Sequence, residues 1–174
     1  MSDIRYPIGR FDGGEPANAE DRIHMLTNIE QLPADVQEAV SSLNNEQLGT
    51  PYREGGWTVS QVVHHLADSH MNAYVRFKLA LTEERPPIKS YDQDAWAQAT
   101  DAVQLSPQVS LDLLASLHRR WVYLMKSMSD ADFHREFKHP ESGLWNLNKT
   151  LALYDWHGRH HLAHITQLKQ RMKW

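Results

Sequence analysis

Cysteine is absent from the 174 residues of the sequence. A chain without thiols forms no disulfide, and it offers neither a thiolate metal ligand nor a cysteine nucleophile. Any metal site in this protein must therefore be built from histidines and carboxylates. Histidine is abundant, with 11 residues, but this number alone does not distinguish a metal site from a histidine-rich surface.

Long apolar runs and a strong excess of one charge are also missing. The chain has 18 Lys and Arg against 22 Asp and Glu, a formal net charge of -4, and no basic run that would attract a nucleic acid or an anionic membrane. Nowhere do about 18 uncharged apolar residues occur together, as a membrane-spanning helix requires, and the first residues lack the pattern of a secretory signal. We therefore expect a cytoplasmic protein that acts on a small molecule and binds neither nucleic acid nor membrane.

The chain lacks internal repeats and Gly-rich or Ser-rich linkers, so one domain is expected over residues 1–174. The residues through Gly14 should form an irregular arm on the body of the domain. A first helix is predicted after Asn18, a residue type suited to cap it, and Pro33 should kink or split this helix. A second helix should start at Thr58, where a capping box is recognisable, and end near Thr82, before two prolines.

The second half of the chain predicts three more helices and a break. A short helix is expected near Asp92, and Ser106-Pro107 should open a long one. Turn residues between positions 133 and 148 indicate a short hairpin, after which a last helix should run from about residue 148 or 150 to Lys173. Four long helices and one short one predict an all-α four-helix bundle, a fold in which facing side chains commonly bind metals.

Two histidines occupy the apolar stripe of the last predicted helix. His157 and His161 are spaced i and i+4, and they share one helix face with Tyr154, Ile165 and Leu168. A single histidine on such a face is usually a buried residue bonded to a polar neighbour. Two neighbouring imidazoles lose hydration and repel each other if protonated, and a shared cation removes both penalties. The pair is therefore a candidate metal site, with a spacing familiar from zinc proteins.

A third ligand has to come from another helix, and the second helix offers His64, His65 and His70. Periodicity favours His65, because it lies on a polar line beside the apolar stripe, whereas His64 should face away from the core. His70 projects to the core side, where we expect a structural histidine with satisfied hydrogen bonds. The predicted metal ligands are therefore His65, His157 and His161.

Other polar residues near these histidines are candidates for a pocket wall, a role for which polar groups beside an apolar lining are typical. Ser69, Asn72 and Arg76 follow His65 along the polar line, and His164 lies near the apolar stripe of the last helix. Arg76 could bind a substrate carboxylate or form a surface ion pair.

Asp68 is the candidate catalytic residue, because it follows His65 by three positions and could orient a ligand or accept a proton from water. An alternative role for Asp68 is a partner for His64 or for a surface cation.

Three imidazoles leave at least one coordination position open, as in catalytic rather than structural metal sites. Nitrogen ligands suit Zn, Ni, Co or Cu better than Mg or Ca, and the sequence does not choose within the first group. A metal with an open position can activate a water, which gives a hydrolase, or a thiol, which gives an S-transferase. His164 could instead fill the open position, and the protein would then be a non-enzymatic metal-binding module of the stress response.

Several segments together resemble the YfiT branch of the DinB-like superfamily. The likeness covers nearly the whole chain and is carried by residues 56–72, with the motif His-His-Leu-Ala-Asp, by residues 156–165, with His-Gly-Arg-His-His, and by the short stretches 6–9 and 50–53. Members of this family are all-helical bundles described as possible metal-dependent hydrolases, in which three histidines bind one nickel or zinc.

Transferred by position, the family's metal ligands correspond to His65, His157 and His161 of this chain. The resemblance also implies a cytoplasmic homodimer and a likeness to enzymes that join low-molecular-weight thiols such as bacillithiol to electrophiles. Between the ligand positions, Gly158 and Arg159 are expected to face solvent.

Overall fold

The computed structural model describes residues 3–174. In chain order the elements are α1 (Ala19–Ser41), α2 (Asn45–Leu48), α3 (Val59–Thr82), α4 (Gln93–Ala97), α5 (Thr100–Gln104), α6 (Pro107–Lys126), α7 (Asp130–Phe133), β1 (Glu136–His139), β2 (Gly143–Asn146) and α8 (Leu147–Met172). The four long helices are α1, α3, α6 and α8. Both α1 and α3 pack against α6 and α8, which confirms the predicted four-helix bundle.

The helix starts are set by the capping residues that the sequence indicated. The side chain of Asn18 accepts a hydrogen bond from the backbone N–H of Asp21. Thr58 and Gln61 form the complete capping box, in which each side chain bonds the other residue's backbone N–H. Such contacts satisfy N–H groups that have no partner within the helix, and each is worth about 1 kcal/mol.

Helix α1 continues through Pro33, so the split that the sequence allowed does not occur. A proline cannot donate the N–H that the carbonyl four residues earlier would accept, which here is the carbonyl of Ile29. That carbonyl instead accepts a hydrogen bond from His118 Nδ1 of α6, at 2.6 Å. A side chain of a neighbouring helix thus replaces a bond that the helix itself cannot make.

The prediction of one additional short helix is incomplete, because residues 3–174 contain four: α2, α4, α5 and α7. The predicted one is α4, which is capped by Asp92. Each of the four has only four or five residues, too few to show a helical period in the sequence.

The hairpin and the last helix lie where they were predicted. Strands β1 and β2 pair antiparallel, with Phe137 opposite Trp145. The second strand leads directly into α8, whose first residue, Leu147, donates its backbone N–H to the carbonyl of Arg135 at 3.1 Å. The hairpin therefore fixes the start of the helix that carries His157 and His161.

The apolar core consists of two clusters, one toward each end of the bundle. The first includes Phe77, Trp121 and Leu151, and the second includes Val36 and Ile165. Buried histidines of α6 and α8, and His70 of α3, fall between the segments that supply the two clusters. A layer of imidazoles thus separates two apolar regions inside one bundle. None of the helices within residues 3–174 is long and apolar enough to cross a membrane.

Candidate metal centre

Three imidazoles from two helices meet in this layer. His157 and His161 lie one turn apart on α8, and His65 approaches them from α3. One ring nitrogen from each histidine can be chosen such that all three lie within 4.8 Å of one another. The Nε2 atoms of His65 and His157 are 3.2 Å apart. The structure therefore brings together the three rings that helical periodicity selected from the sequence.

The spacing and chemistry of these nitrogens fit a first-row divalent metal. Two nitrogens bound to one tetrahedral zinc, each at 2.0–2.1 Å, lie about 3.3 Å apart, close to the separation between His65 and His157. Three neutral nitrogen donors suit zinc or nickel, whereas magnesium and calcium prefer oxygen. The donor set thus supplies three ligands of a suitable type.

Burial keeps these rings neutral, as metal coordination requires. Loss of hydration, together with the nearby His160 ring, lowers the pKa of His65 to about 4. The pKa values of His157 and His161 fall well below the usual range, first because of burial and then because of the neighbouring histidines. No carboxylate within the described part of the chain belongs to this group of three. At neutral pH the rings therefore present lone pairs rather than positive charges.

A cleft of about 680 Å³ opens onto the histidines of α8. The amino-terminal arm and the turn before α3 form part of its wall, and both contribute arginines, Arg5 and Arg53. Trp57 also lines the cleft, and its ring lies 4.6 Å from the ring of His65. The arm is held on α8 by backbone carbonyls, one of which, from Gly9, accepts a hydrogen bond from Trp156. A small molecule in this cleft would lie directly against two of the candidate metal ligands, His157 and His161.

Each of the two α8 ligands contacts a further histidine through its Nδ1 atom. His157 Nδ1 lies 3.2 Å from His70 Nε2. His161 Nδ1 lies 3.4 Å from His164 Nδ1, a longer contact, and His164 Nε2 donates to the carbonyl of Arg5 at 3.3 Å. These contacts leave the Nε2 atoms of both rings available to a metal.

His164 therefore lies beside His161 and lines the cleft, as predicted for a pocket residue. It belongs to a second group of three histidines, with His160 and His161, whose ring nitrogens also come within 4.8 Å of one another. It is not a member of the group formed by His65, His157 and His161. The arrangement thus does not present His164 as a fourth ligand of that group.

Burial of His70 was predicted from the helical pattern of α3, whereas no role was predicted for His118. His70 is fully buried and His118 is 2% exposed, and His118 Nε2 lies 2.8 Å from His70 Nδ1. A signal for His118 was present in the sequence, because it continues the apolar stripe of α6 between Leu114 and Trp121. Its partners, however, come from α1 and α3, and only the packed bundle shows them.

Two expectations about solvent exposure are wrong. His64 is buried rather than turned away from the protein interior, because α5 and α6 cover that face of α3. Its ring bonds the Ser110 hydroxyl at 2.7 Å and the Leu105 carbonyl at 3.2 Å. Gly158 is also buried, since α8 approaches α1 so closely that a Cβ atom there would lie 2.5 Å from Leu32 Cδ2. Arg159 is exposed, as predicted, and pairs with Asp155.

The other predicted site residues on α3 do not line the cleft over the histidines. Asp68 is half-buried, and burial, together with Asp101, raises its pKa to about 6. Ser69 is buried near Tyr91 and Tyr154.

Further along α3, Asn72 donates to the Asp68 carbonyl of its own helix at 2.9 Å. Arg76 lies near the same two tyrosines, Tyr91 and Tyr154. The roles of these α3 residues in catalysis or substrate binding stay predictions.

Comparison with known proteins agrees with this architecture. A protein of Bacillus cereus (strain 03BB102), named "Putative metal-dependent hydrolase", is 51% identical over 174 residues, which is 100% of both chains. A relative from Bacillus thuringiensis subsp. konkukian (strain 97-27) has the same identity and coverage and is also named "Putative metal-dependent hydrolase".

Two solved structures share the fold. YfiT from Bacillus subtilis, described as "a probable metal-dependent hydrolase with an unusual four-helix bundle topology", matches with a TM-score of 0.95 and 48% identity over 98% of each chain. TT2238, a four-helix bundle protein, matches with a TM-score of 0.58 and 18% identity over 84% of this chain and 98% of its own, which is a likeness of fold alone. A family model described as the DinB superfamily matches residues 28–165, so the chain belongs to the DinB superfamily.

Proposed function

We propose that this protein is a metal-dependent hydrolase whose zinc or nickel ion is held by His65, His157 and His161. The observation that carries the proposal is the convergence of three neutral imidazoles within 4.8 Å beneath an open cleft. The descriptions of the relatives from Bacillus cereus and Bacillus subtilis support the same activity.

When bound, such an ion supplies Lewis-acid chemistry that makes water or a thiol a nucleophile near neutral pH. The chain's own residues provide the surroundings for this chemistry. His65, His157 and His161 contribute lone pairs without a compensating negative charge, so the site keeps the charge of the ion. Arg53 places a positive charge at the wall of the cleft, where a substrate carboxylate or phosphate would be attracted. The charge of Arg5, at the same wall, is balanced by Asp3 at 2.9 Å.

The Arg53 guanidinium also favours a second candidate function, transfer of a low-molecular-weight thiol to an electrophile. Because the chain has no cysteine, the thiol must arrive as a substrate. A cleft of about 680 Å³ falls within the usual size range of small-molecule sites, and the Arg53 guanidinium suits the carboxylates that such thiols carry. The open cleft also argues against the third alternative, a non-enzymatic metal-binding module, in which a closed site would be expected.

Metal analysis of purified variants tests the ligand assignment. His65→Ala, His157→Ala and His161→Ala should each lose stoichiometric zinc or nickel, because two remaining imidazoles bind a metal far more weakly. The matched control is His64→Ala, which removes an adjacent buried histidine of the same helix and should retain the metal. Equal metal content in all four variants would contradict the assignment.

Activity assays then separate the candidate functions. Metal-free protein and protein loaded with zinc or nickel would be incubated with p-nitrophenyl esters and amides, and separately with monobromobimane in the presence or absence of bacillithiol. Ester or amide cleavage that requires metal but no thiol supports the hydrolase. Metal-dependent bimane conjugation without such cleavage supports thiol transfer and contradicts hydrolysis.

A further inference from the structure

Three histidines, of which His70 and His118 are buried and His157 is partly exposed, form a continuous hydrogen-bonded series that ends at the candidate metal centre. His118 Nδ1 lies 2.6 Å from the carbonyl oxygen of Ile29, and His118 Nε2 lies 2.8 Å from His70 Nδ1. His70 Nε2 in turn lies 3.2 Å from His157 Nδ1. The series therefore passes from α1 through α6 and α3 to α8, and it contacts every long helix of the bundle.

The carbonyl group at the far end fixes the direction of every bond in this series. A carbonyl oxygen only accepts, so the proton of His118 must be on Nδ1, and its Nε2 is then an acceptor. His70 must consequently carry its proton on Nδ1 and accept through Nε2. By the same reasoning His157 carries its proton on Nδ1, and the lone pair of its Nε2 atom faces His65 Nε2 at 3.2 Å.

Reversing the hydrogen bond between His118 and His70, so that His118 Nε2 donates, would require a buried cation. If His118 carried protons on both nitrogens, a positive ring would lie where the side chain is 2% exposed, next to the fully buried His70. None of the hydrogen bonds described for His70 and His118 involves a carboxylate that could balance the charge. An unpaired charge in such surroundings is strongly unfavourable, so neutral rings are the stable state.

We propose that His118 and His70 are positioning residues, which hold His157 in the tautomer whose Nε2 lone pair points to the metal centre. This inference rests on the proposed function in one respect, namely that His157 is a metal ligand. The two residues touch neither substrate nor metal and act through His157 alone.

The position of the proton matters because a neutral imidazole offers a metal only its unprotonated nitrogen. If the proton of His157 moved to Nε2, an N–H would point at His65 and the metal would lose a ligand. The His70 contact also fixes the rotation of the His157 ring, so less conformational freedom is lost when a metal binds.

Pro33 explains why the series of hydrogen-bonded histidines ends at the Ile29 carbonyl. Because Pro33 has no N–H, the Ile29 carbonyl lacks its usual partner within α1 and remains available to His118. The proline in the interior of α1 thus leaves the Ile29 carbonyl free to accept the hydrogen bond that orders the rings of His118, His70 and His157.

The tautomers can be measured directly on the metal-free wild-type protein. Long-range ¹H–¹⁵N correlation spectra of ¹⁵N-labelled protein distinguish a protonated ring nitrogen from a bare one. We expect His118, His70 and His157 to be protonated at Nδ1 and bare at Nε2. Protonation of His157 at Nε2 would overturn the proposal, whether or not the protein binds metal.

Two substitutions at His70 separate hydrogen bonding from packing. His70→Leu removes the acceptor and should weaken zinc binding by about 10–100-fold, measured by competition with a chromophoric chelator. His70→Gln places an amide oxygen near the former Nε2 and should restore most of the affinity, with His157 again protonated at Nδ1. The matched control is His64→Leu, which removes a hydrogen-bonded histidine from the same helix and should leave both readouts unchanged.

The outcomes distinguish this inference from the proposed function. If wild-type protein binds zinc and His70→Leu binds it equally tightly, the positioning role is wrong and the metal site stands. If wild-type protein shows the expected tautomers but binds neither zinc nor nickel, the metal-dependent function is wrong and the ordered histidine series stands.

Discussion

Mild acid should destabilise the metal-free protein, because its buried histidines must stay neutral in the folded state. The clearest case is His118, whose pKa burial lowers to about 4, although its bond to the Ile29 carbonyl opposes part of this shift. In the unfolded chain a histidine has a pKa of about 6.5. Because the folded-state pKa is the lower of the two, the unfolded chain binds more protons, and the free energy of unfolding decreases as the pH falls below about 6.5.

The magnitude follows from the two pKa values. At pH 5 the unfolded ring of His118 is almost fully protonated and the folded ring is almost entirely neutral. Each pKa unit corresponds to about 1.4 kcal/mol, so this single ring removes about 2 kcal/mol of stability between pH 7 and pH 5. His65, whose pKa is also lowered to about 4, should remove a similar amount. Against a typical total of 5–15 kcal/mol, these two losses together are large.

Urea denaturation of metal-free protein at pH 7 and pH 5 measures the effect. The stability lost between the two pH values should be about 2 kcal/mol smaller in His118→Leu than in the wild type, because the variant lacks one titrating ring. Contributions from other groups, such as Asp68, are common to both proteins and cancel in this comparison. An equal loss in the variant and the wild type would refute the reasoning.

Three further predictions concern other parts of the structure. Burial raises the pKa of Asp68 to about 6, which means that the charged carboxylate is unfavourable in the folded state. Asp68→Asn should therefore increase the free energy of unfolding at pH 7 by about 1 kcal/mol after solvent screening. A simultaneous loss of activity would show a catalytic role for Asp68. Gly158→Ala should lower the free energy of unfolding by about 1–2 kcal/mol, because its added methyl group clashes with Leu32. In a Leu32→Ala background the same substitution should change the free energy of unfolding little, and a double-mutant cycle measured by urea denaturation tests this. Zinc at 100 times its Kd should raise the free energy of unfolding by about 2.7 kcal/mol, whereas His161→Ala should show no such gain.

The imidazole layer explains why the core of this bundle is divided. Apolar side chains at these positions would stabilise the fold by burial, whereas neutral histidines must each find hydrogen-bond partners inside the protein. His70 and His118 find them in one another, in His157 and in a backbone carbonyl. Within the described residues, Trp121 Nε1 and His160 Nδ1 are the buried side-chain nitrogens without a partner. His160 belongs to the same region, which is consistent with a site shaped for a ligand rather than for maximal stability.

Much of the architecture could be predicted from local features of the sequence. The caps at Asn18, Thr58 and Ser106 fixed the starts of α1, α3 and α6, because capping depends on residues only two or three positions apart. Helical periodicity also placed His157 and His161 on the inward face and selected His65 over His64, because the side-chain direction on a helix depends on residue spacing alone. These inferences needed no knowledge of which helices are neighbours.

Only the tertiary structure showed what packs against each helix. The sequence suggested that His64 and Gly158 face solvent. In the structure α5 and α6 cover His64, and α1 covers Gly158. The pattern of polar and apolar residues along one helix does not show which neighbouring helix packs against it or which hydrogen bonds that neighbour offers. The link from Ile29 through His118 and His70 to His157 consists of hydrogen bonds that each join residues up to 89 positions apart in the sequence. Hydrogen bonds over such separations arise when the helices pack together, and for this reason the proton arrangement at the metal centre could be inferred only from the folded bundle.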